Sequence, residues 1–292
     1  MNAQRLHPVS SPVDSVARPI VLRTRGRGHG DIVRLVSPAD VGELIKPFVF
    51  LDSFDVDPTK APRFGWHPHS GIATVTVILE GTIGFAETTG RTGTLDAGGV
   101  EWMRAGGGVW HSGNIEGTER ARGFQLWMAL RPELENGPAE SAYLRADEVA
   151  ANGPARVVLG RYGRAASRIR SPSGLNYLDV HLNAGERWTY QPPAGHTVGW
   201  AVVHTGALRA SELISSGELA VFAENDTAIS FEAVGQSRFV LGSAIKHPHP
   251  LVLGHYSVHT SATALQQGEA QIEHIRPLAQ RSHRFPGLGS YV

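Results

Sequence analysis

Three histidines in the first half of the chain have the residue type and the spacing of metal ligands. His67 and His69 stand at positions i and i+2, on either side of a proline. On an extended backbone, side chains two residues apart leave on the same face, so both imidazoles can bind one ion. His111 follows a glycine-rich segment at 106–108 that allows the chain to bend sharply. The three imidazoles together predict a facial site with open coordination positions, a donor set that suits Fe, Cu, Ni or Zn.

The other histidines and the tryptophans around these motifs have simpler interpretations. A single pair such as His67 and His69 is often incidental in a chain with 14 histidines. The second His-Pro-His string, at 247–249, predicts a surface loop because no motif places a third histidine near it. In the second half, His181, His196 and His204 do not repeat the spacing, which predicts no second metal site. Core packing is expected for four tryptophans, with an aromatic pocket beside the metal as the alternative: Trp66, Trp102, Trp110 and Trp127.

Composition excludes several classes of function. The chain has 292 residues and no cysteine, which excludes disulfides, thiol nucleophiles and thiolate metal sites. Lys+Arg and Asp+Glu both total 27, so a basic surface for nucleic acid is not expected, although local patches stay possible. No apolar run is long enough for a membrane helix, and residues 1–26 lack the apolar region of a secretory signal. A cytoplasmic protein is the expectation.

Short strands separated by glycine and proline turns predict a mainly β fold of sandwich or barrel type. Extended patterns occur along most of the chain, at 32–36, 47–52, 73–79, 83–87, 99–103, 123–130, 157–160, 176–182 and 198–204. A weak repeat at a spacing of about 125 residues predicts duplicated β-domains. The expected division is an arm at 1–18, an N-terminal domain at 19–132, a linker at 133–155 and a C-terminal domain at 156–292. Two helices are predicted, at 142–151 and at 261–274.

The histidine motifs resemble those of the pirin family of cupin proteins. The resemblance is carried by 66–71 with 74–81, by 105–112, and by further matches at 47–52, 125–127, 130–132 and 177–179. It covers the chain from about residue 20 to 285 and implies two tandem cupin β-barrels (double-stranded β-helix, jelly-roll), with metal only in the first. Family members bind one divalent metal through three histidines and one glutamate, and the matching histidines are His67, His69 and His111. Fe(II) is the implied metal, with Mn, Ni, Cu, Co and Zn as alternatives.

The sequence departs from the family at both carboxylate positions. Gly113 stands where the family has its glutamate, and Ala73 stands where cupins in general have theirs. Three neutral imidazoles leave a divalent ion with a formal charge of +2, so the site is expected to bind metal less tightly and to polarise ligands more strongly. One acidic or amide side chain on the following loop is a possible replacement: Asn114, Glu116 or Glu119. Glu80 and Glu101 are expected to face solvent.

Two functions of different classes follow from the resemblance. The first is an Fe(II)-dependent dioxygenase of the quercetin 2,3-dioxygenase type, with a flavonol-like substrate and O₂ and with weak activity because the family's proton-accepting glutamate is missing. The alternative is a non-enzymatic, metal- or redox-responsive regulator that acts through protein partners. A scaffold that has lost its metal is a third possibility. A monomer is expected, because two facing barrels in one chain already bury an interface.

Overall fold

The computed structural model describes residues 17–59 and 64–281, and antiparallel strands dominate it. The first half of the chain contains β1 (Ile20–Thr24), β2 (Arg27–His29), β3 (Ile32–Val36), α1 (Val41–Ile45), β4 (Phe48–Val56), β5 (Phe64–His69), β6 (Ile72–Glu80), β7 (Thr82–Glu87), β8 (Thr92–Asp96), β9 (Val100–Arg104), β10 (Val109–Glu116), β11 (Ala121–Ala129) and β12 (Glu140–Leu144). The predicted mainly β fold with a helix near the C-terminus is confirmed.

The second half opens with a single 3₁₀ turn, Ala146–Glu148, and ends in a long helix. Its strands are β13 (Ala151–Asn152), β14 (Ala155–Leu159), β15 (Arg161–Tyr162), β16 (Ala165–Ala166), β17 (Leu175–Leu182), β18 (Arg187–Tyr190), β19 (Val198–Thr205), β20 (Ala207–Arg209), β21 (Leu213–Ser215), β22 (Leu219–Phe222), β23 (Ile229–Ala233), β24 (Ser237–Ala244), β25 (Val252–Leu253) and β26 (Val258–His259), followed by α2 (Ala262–Arg281). None of the described helices has the length and apolar character needed to cross a bilayer.

The strands form two β-barrels, each built from a seven-stranded and a four-stranded sheet. The first barrel has the orders β12-β9-β6-β11-β4-β3-β2 and β5-β10-β7-β8. The second has the orders β1-β22-β19-β24-β17-β14-β13 and β18-β23-β20-β21. Equal sheet sizes in the two halves agree with the duplication that the internal repeat predicts.

The two seven-stranded sheets pack against each other through one continuous apolar cluster. Val75 and Leu126 of the first sheet belong to the same buried cluster as Val202 and Val240 of the second. Successive residues of a strand point to opposite faces, so the alternate residues of β6 and β11 point into the first barrel. These central strands are therefore covered on both faces, and a polar residue in them lies inside the barrel and not in solvent.

The interior of the second barrel is filled with apolar side chains. Its cluster includes Leu178, Trp188, Phe231 and Phe239, all buried. His196 lies at the edge of this core, where its Nδ1 is 3.0 Å from Ser243 Oγ.

The structure corrects two sequence predictions in the connecting segments. The helix predicted at 142–151 is wrong: strand β12 occupies its start because it pairs with β9 along the edge of the first sheet, and backbone pairing outweighs local helical preference. Strand β1 was predicted to belong to the N-terminal domain, but it pairs with β22 and so covers an edge of the second barrel. The predicted arm at 1–18 lies outside the described residues except for its last two, of which Arg18 is buried and donates to the carbonyl oxygens of Ala223 and Thr197.

Candidate metal centre

Two antiparallel strands of the first barrel bring the three histidines together. Strand β5 carries His67 and His69, and β10 carries His111 directly opposite His67 in the register. One ligand atom from each of the three side chains lies within 4.8 Å of the other two. The i, i+2 spacing acts as predicted, since both β5 imidazoles leave the strand on the side where β10 presents the third.

The hydrogen bonds of the imidazoles leave their second nitrogens available for a metal. Nδ1 of His67 lies 2.8 Å from the carbonyl oxygen of Gly65, and Nδ1 of His69 lies 3.0 Å from that of Tyr256. A carbonyl only accepts, so each Nδ1 carries the proton and each Nε2 keeps its lone pair. The Nε2 atoms of His69 and His111 are buried with no hydrogen-bond partner among the described residues. Unpaired buried nitrogens are costly, and a metal ion is the partner that such a donor set suits.

Burial keeps the three imidazoles neutral, as metal ligands must be. Burial, together with a smaller contribution from the neighbouring His67, lowers the pKa of His69 to about 3. The pKa of His111 also falls well below its usual value, mainly through burial and then through the two other histidines. Desolvation lowers the pKa of His67 in the same direction. A proton therefore competes poorly for these nitrogens at neutral pH.

The chain segment that follows the second barrel packs against the histidines and against β10. The ring of Tyr256 lies 5.8 Å from that of His67, between centroids, and its carbonyl oxygen accepts from His69. Helix α2 packs on β10, where the indole Nε1 of Trp110 donates to the carbonyl oxygen of Ile272 at 2.9 Å. The histidine cluster of the first barrel thus contacts residues that come after the second barrel in the sequence.

A cavity of about 110 Å³ opens from the histidine cluster into the first barrel. Its apolar wall is formed by Ile32, Phe54, Ile83 and Phe85, and its polar wall by Asp52, Thr76, Glu101, Ser112 and Gln125, with His67, His111 and Gly113 at the cluster. A small ligand in this cavity contacts both the cluster and a carboxylate. None of the four tryptophans near the motifs belongs to the described cavity lining. Trp127 stacks on Phe50 at 3.9 Å between ring centroids and meets the ring of His69 edge-on at 4.8 Å, so it packs beside the histidine cluster.

Glu101 is the cavity residue that sequence analysis misplaced. It was expected to face solvent, but it is 9% exposed and lines the cavity. Thr76 Oγ1 donates to its Oε2 at 2.6 Å, and its Oε1 lies 4.0 Å from His111 Nδ1. Burial raises the pKa of Glu101 to about 7; the hydrogen bond from Thr76 opposes this rise, and Glu87 adds to it. Alternation along β9 carried a signal, since Val100 and Trp102 flank Glu101 on the opposite, buried face.

The residues proposed as substitutes for the missing glutamate point elsewhere, and Asn114 and Glu116 lie on strand β10 and not on a loop. Among the described residues, the ligand cluster consists of the three histidines. Asn114 Nδ2 donates to Glu116 Oε1 at 2.6 Å, and both Glu116 and Glu119 line a separate surface cleft with Glu80. Gly113 does line the cavity, and a Cβ there would lie 3.7 Å from the carbonyl oxygen of Gly84, an ordinary contact distance. The carboxylate position is therefore vacant without being sterically closed.

The second His-Pro-His string lies in an irregular segment whose Pro248 is exposed, so the predicted surface loop holds for part of the string but not for His247. His247 is 4% exposed, and its backbone N–H donates to the carbonyl oxygen of Lys46 at 3.2 Å. Burial lowers the pKa of His247 to about 4. Lys46 Nζ also donates to the carbonyl oxygen of His249 at 2.9 Å, so the segment is held against the end of α1 while Pro248 stays exposed.

Burial of neutral His69 predicts that acid destabilises the metal-free protein. Between its usual pKa near 6.5 and its folded value near 3, the unfolded chain binds a proton that the folded chain does not, so stability falls as pH falls. From pH 7.5 to 5 this loss amounts to about 2 kcal/mol for this one residue. Glu101 contributes with the opposite sign because its folded pKa is raised. Urea unfolding at both pH values should therefore show a loss smaller by about 2 kcal/mol in His69→Gln than in the unmodified protein. Equal losses in the two proteins would contradict a neutral, buried His69.

Comparison with known proteins agrees with this architecture. A sequence model of the family described as Pirin matches residues 31–128. A Caulobacter vibrioides protein named pirin-like protein is 30% identical over 241 residues, which cover 77% of this chain and 86% of that protein. A Pseudomonas aeruginosa protein named, provisionally, as a quercetin 2,3-dioxygenase is 30% identical over 241 residues, covering 77% and 84%. The solved structure of quercetin 2,3-dioxygenase from Acinetobacter baumannii superposes with a TM-score of 0.79 at 23% identity, covering 89% of this chain and 98% of that one.

Two tandem barrels with three clustered histidines in the first define the molecule as a bicupin. The resemblance of its motifs to one bicupin family extends over most of its length, at 30% identity to a protein named for that family. The chain belongs to the pirin family.

Proposed function

We propose that this protein is a metal-dependent dioxygenase that cleaves aromatic, flavonol-like hydroxy ketones with O₂, and that His67, His69 and His111 hold its metal. The convergence of three neutral imidazoles at the end of a cavity carries this proposal. The names of the Pseudomonas aeruginosa relative and of the Acinetobacter baumannii structure support the reaction class.

Iron(II) is the metal we propose for this site. Imidazole nitrogens suit it, and three facial ligands leave positions free for other donors. When bound, it would supply Lewis acidity toward a substrate oxygen and redox chemistry with O₂. The histidines contribute no charge of their own because burial keeps them neutral, so a bound divalent ion would keep its formal charge of +2 and would favour an oxyanion at this end of the cavity.

The size of the cavity limits which part of the substrate enters it. A cavity of about 150 Å³ holds one benzene ring, so the volume of about 110 Å³ at this site takes a single small ring or its edge. The half-buried side chains of Ile32, Ile83 and Phe85 form an apolar rim against which further rings can pack. The oxygen-bearing edge of the ring therefore enters first, toward the histidines and the polar wall.

Metal analysis and oxygen uptake test the proposal together. We expect near-stoichiometric metal after reconstitution with iron(II) and O₂ consumption with quercetin. Maltol, a one-ring hydroxy ketone, is expected to react faster because its ring matches the volume of the cavity. Iron-loaded protein that consumes no O₂ with either compound would overturn the dioxygenase and leave the regulator that acts through protein partners. A pull-down with and without metal would then identify such partners.

A further inference from the structure

The polar wall of the cavity contains a carboxylate with an oxygen that is free to meet a ligand. Glu101 Oε2 accepts the hydrogen bond from Thr76, whereas Oε1 lies 4.0 Å from the nearest imidazole nitrogen, His111 Nδ1. A separation of that length is too great for a hydrogen bond. Oε1 therefore keeps its accepting capacity on the side of the cavity, next to the histidine cluster.

The two neighbouring acids are less well placed to meet a ligand in the cavity. Asp52 lines the same cavity, but the guanidinium of Arg34 binds both of its oxygens, with Arg34 Nη2 at 3.0 Å from Oδ2. Glu87 is buried on β7, where its Oε1 accepts from Tyr143 Oη at 2.8 Å; its Oε2 has no partner among the described residues, but Glu87 does not belong to the cavity lining. Among the residues that line the described cavity, Glu101 is therefore the carboxylate with an oxygen available to accept a hydrogen bond.

We propose that Glu101, on β9, accepts the hydroxyl proton of the ligand at the three-histidine site. It takes the role of the carboxylate that is missing from β10 at Gly113. This inference rests on the proposed function. In the step, the O–H bond of the ligand breaks and its proton moves to a Glu101 carboxylate oxygen. The electron pair stays on the ligand oxygen, which becomes an oxyanion facing the histidine cluster.

The positions of Glu101 on β9 and Gly113 on β10 support this transfer of the carboxylate's role. Glu101 is paired with Thr76 in the β6–β9 register and lines the same cavity as Gly113 of β10. Gly113 has no side chain, and a Cβ there would lie at an ordinary contact distance of 3.7 Å from the carbonyl oxygen of Gly84, so this part of the cavity is open to the ligand. Glu101 therefore reaches the ligand site from β9, beside His111, and not from β10.

Ligand protonation can be read directly on zinc-loaded protein, which binds without turnover. Quercetin and maltol both absorb at longer wavelength once their hydroxyl is deprotonated, so absorption titrations at neutral pH report both affinity and ionisation. We expect unmodified protein to bind maltol as the oxyanion. Glu101→Gln should keep its zinc, bind about 10- to 100-fold more weakly and shift the bound ligand toward its neutral spectrum. The matched control is Glu80→Gln, since Glu80 is exposed and pairs with Arg122 outside the cavity.

A second variant separates a proton acceptor from a purely structural role. Gly113→Glu in the Glu101→Gln background places a carboxylate on β10 and is expected to restore the oxyanion spectrum. Oxyanion binding by Glu101→Gln equal to that of the unmodified protein would overturn the inference and leave the proposed function intact. Loss of zinc from Glu101→Gln would also overturn it, because Glu101 would then act in metal retention. If neither compound binds the zinc-loaded unmodified protein, the proposed function and the inference fail together.

Discussion

Alanine at position 111 is expected to abolish stoichiometric metal binding. His111 is the residue that β10 contributes to the cluster, and one of its ring nitrogens lies within 4.8 Å of a ring nitrogen of each β5 histidine. Even the loss of an outer-shell partner of a metal ligand costs about 10–100-fold in affinity, so the loss of a ligand should exceed 100-fold. Mass-spectrometric metal analysis of the untagged protein, before and after reconstitution, measures this directly.

A histidine elsewhere on the chain provides the matched control. His274 is exposed on α2, so His274→Ala should leave the metal content unchanged. Circular dichroism of His111→Ala checks that the barrel still folds, since alanine is small and β10 keeps its two strand partners. Retention of metal by folded His111→Ala would show that the three imidazoles are not the site.

Alanine at Trp200 should produce the largest loss of stability among the changes considered. The indole is fully buried between the two barrels, where its ring lies 5.4 Å from that of Phe48 and 5.8 Å from that of Tyr177. Removing such a side chain leaves a large cavity and costs about 3–5 kcal/mol. Chemical unfolding monitored by far-UV circular dichroism gives the free energy.

Two milder variants give a scale for this loss of stability. Trp200→Phe keeps most of the apolar volume and should cost clearly less than alanine. Val234→Ala removes methyl groups from a side chain that is 55% exposed and should change stability by less than about 0.5 kcal/mol. A Trp200→Ala protein as stable as Val234→Ala would contradict a shared apolar interface between the barrels.

The acidic residues show where sequence reasoning works and where it stops. Glu80 was expected in solvent and is exposed, because it ends β6 where the strand leaves the sheet. Glu101 was given the same prediction and lies inside the barrel. The difference is tertiary: both faces of β9 are covered, one by the second barrel and the other by the rest of the first. Polarity alone indicates solvent only for a strand with one exposed face.

The contacts that distant parts of the chain make with the histidine strands are a second feature that local sequence patterns do not predict. Tyr256 accepts from His69 across a separation of 187 residues, and Ile272 accepts from Trp110 across 162 residues. No spacing rule links such positions. They meet because the chain crosses back from the second barrel to cover the first.

By itself, the sequence determined the class of fold and the three histidines, because strand alternation and turn residues act over a few positions and the His-Pro-His spacing sets two ligands on one face. It also determined that the carboxylate position at Gly113 is vacant. Only the tertiary structure decided that β12 is a strand, that β1 belongs to the second barrel and that Glu101 faces the histidines. Those outcomes depend on which distant strands pair and which faces are covered, and the free energies of pairing and burial outweigh local preference there.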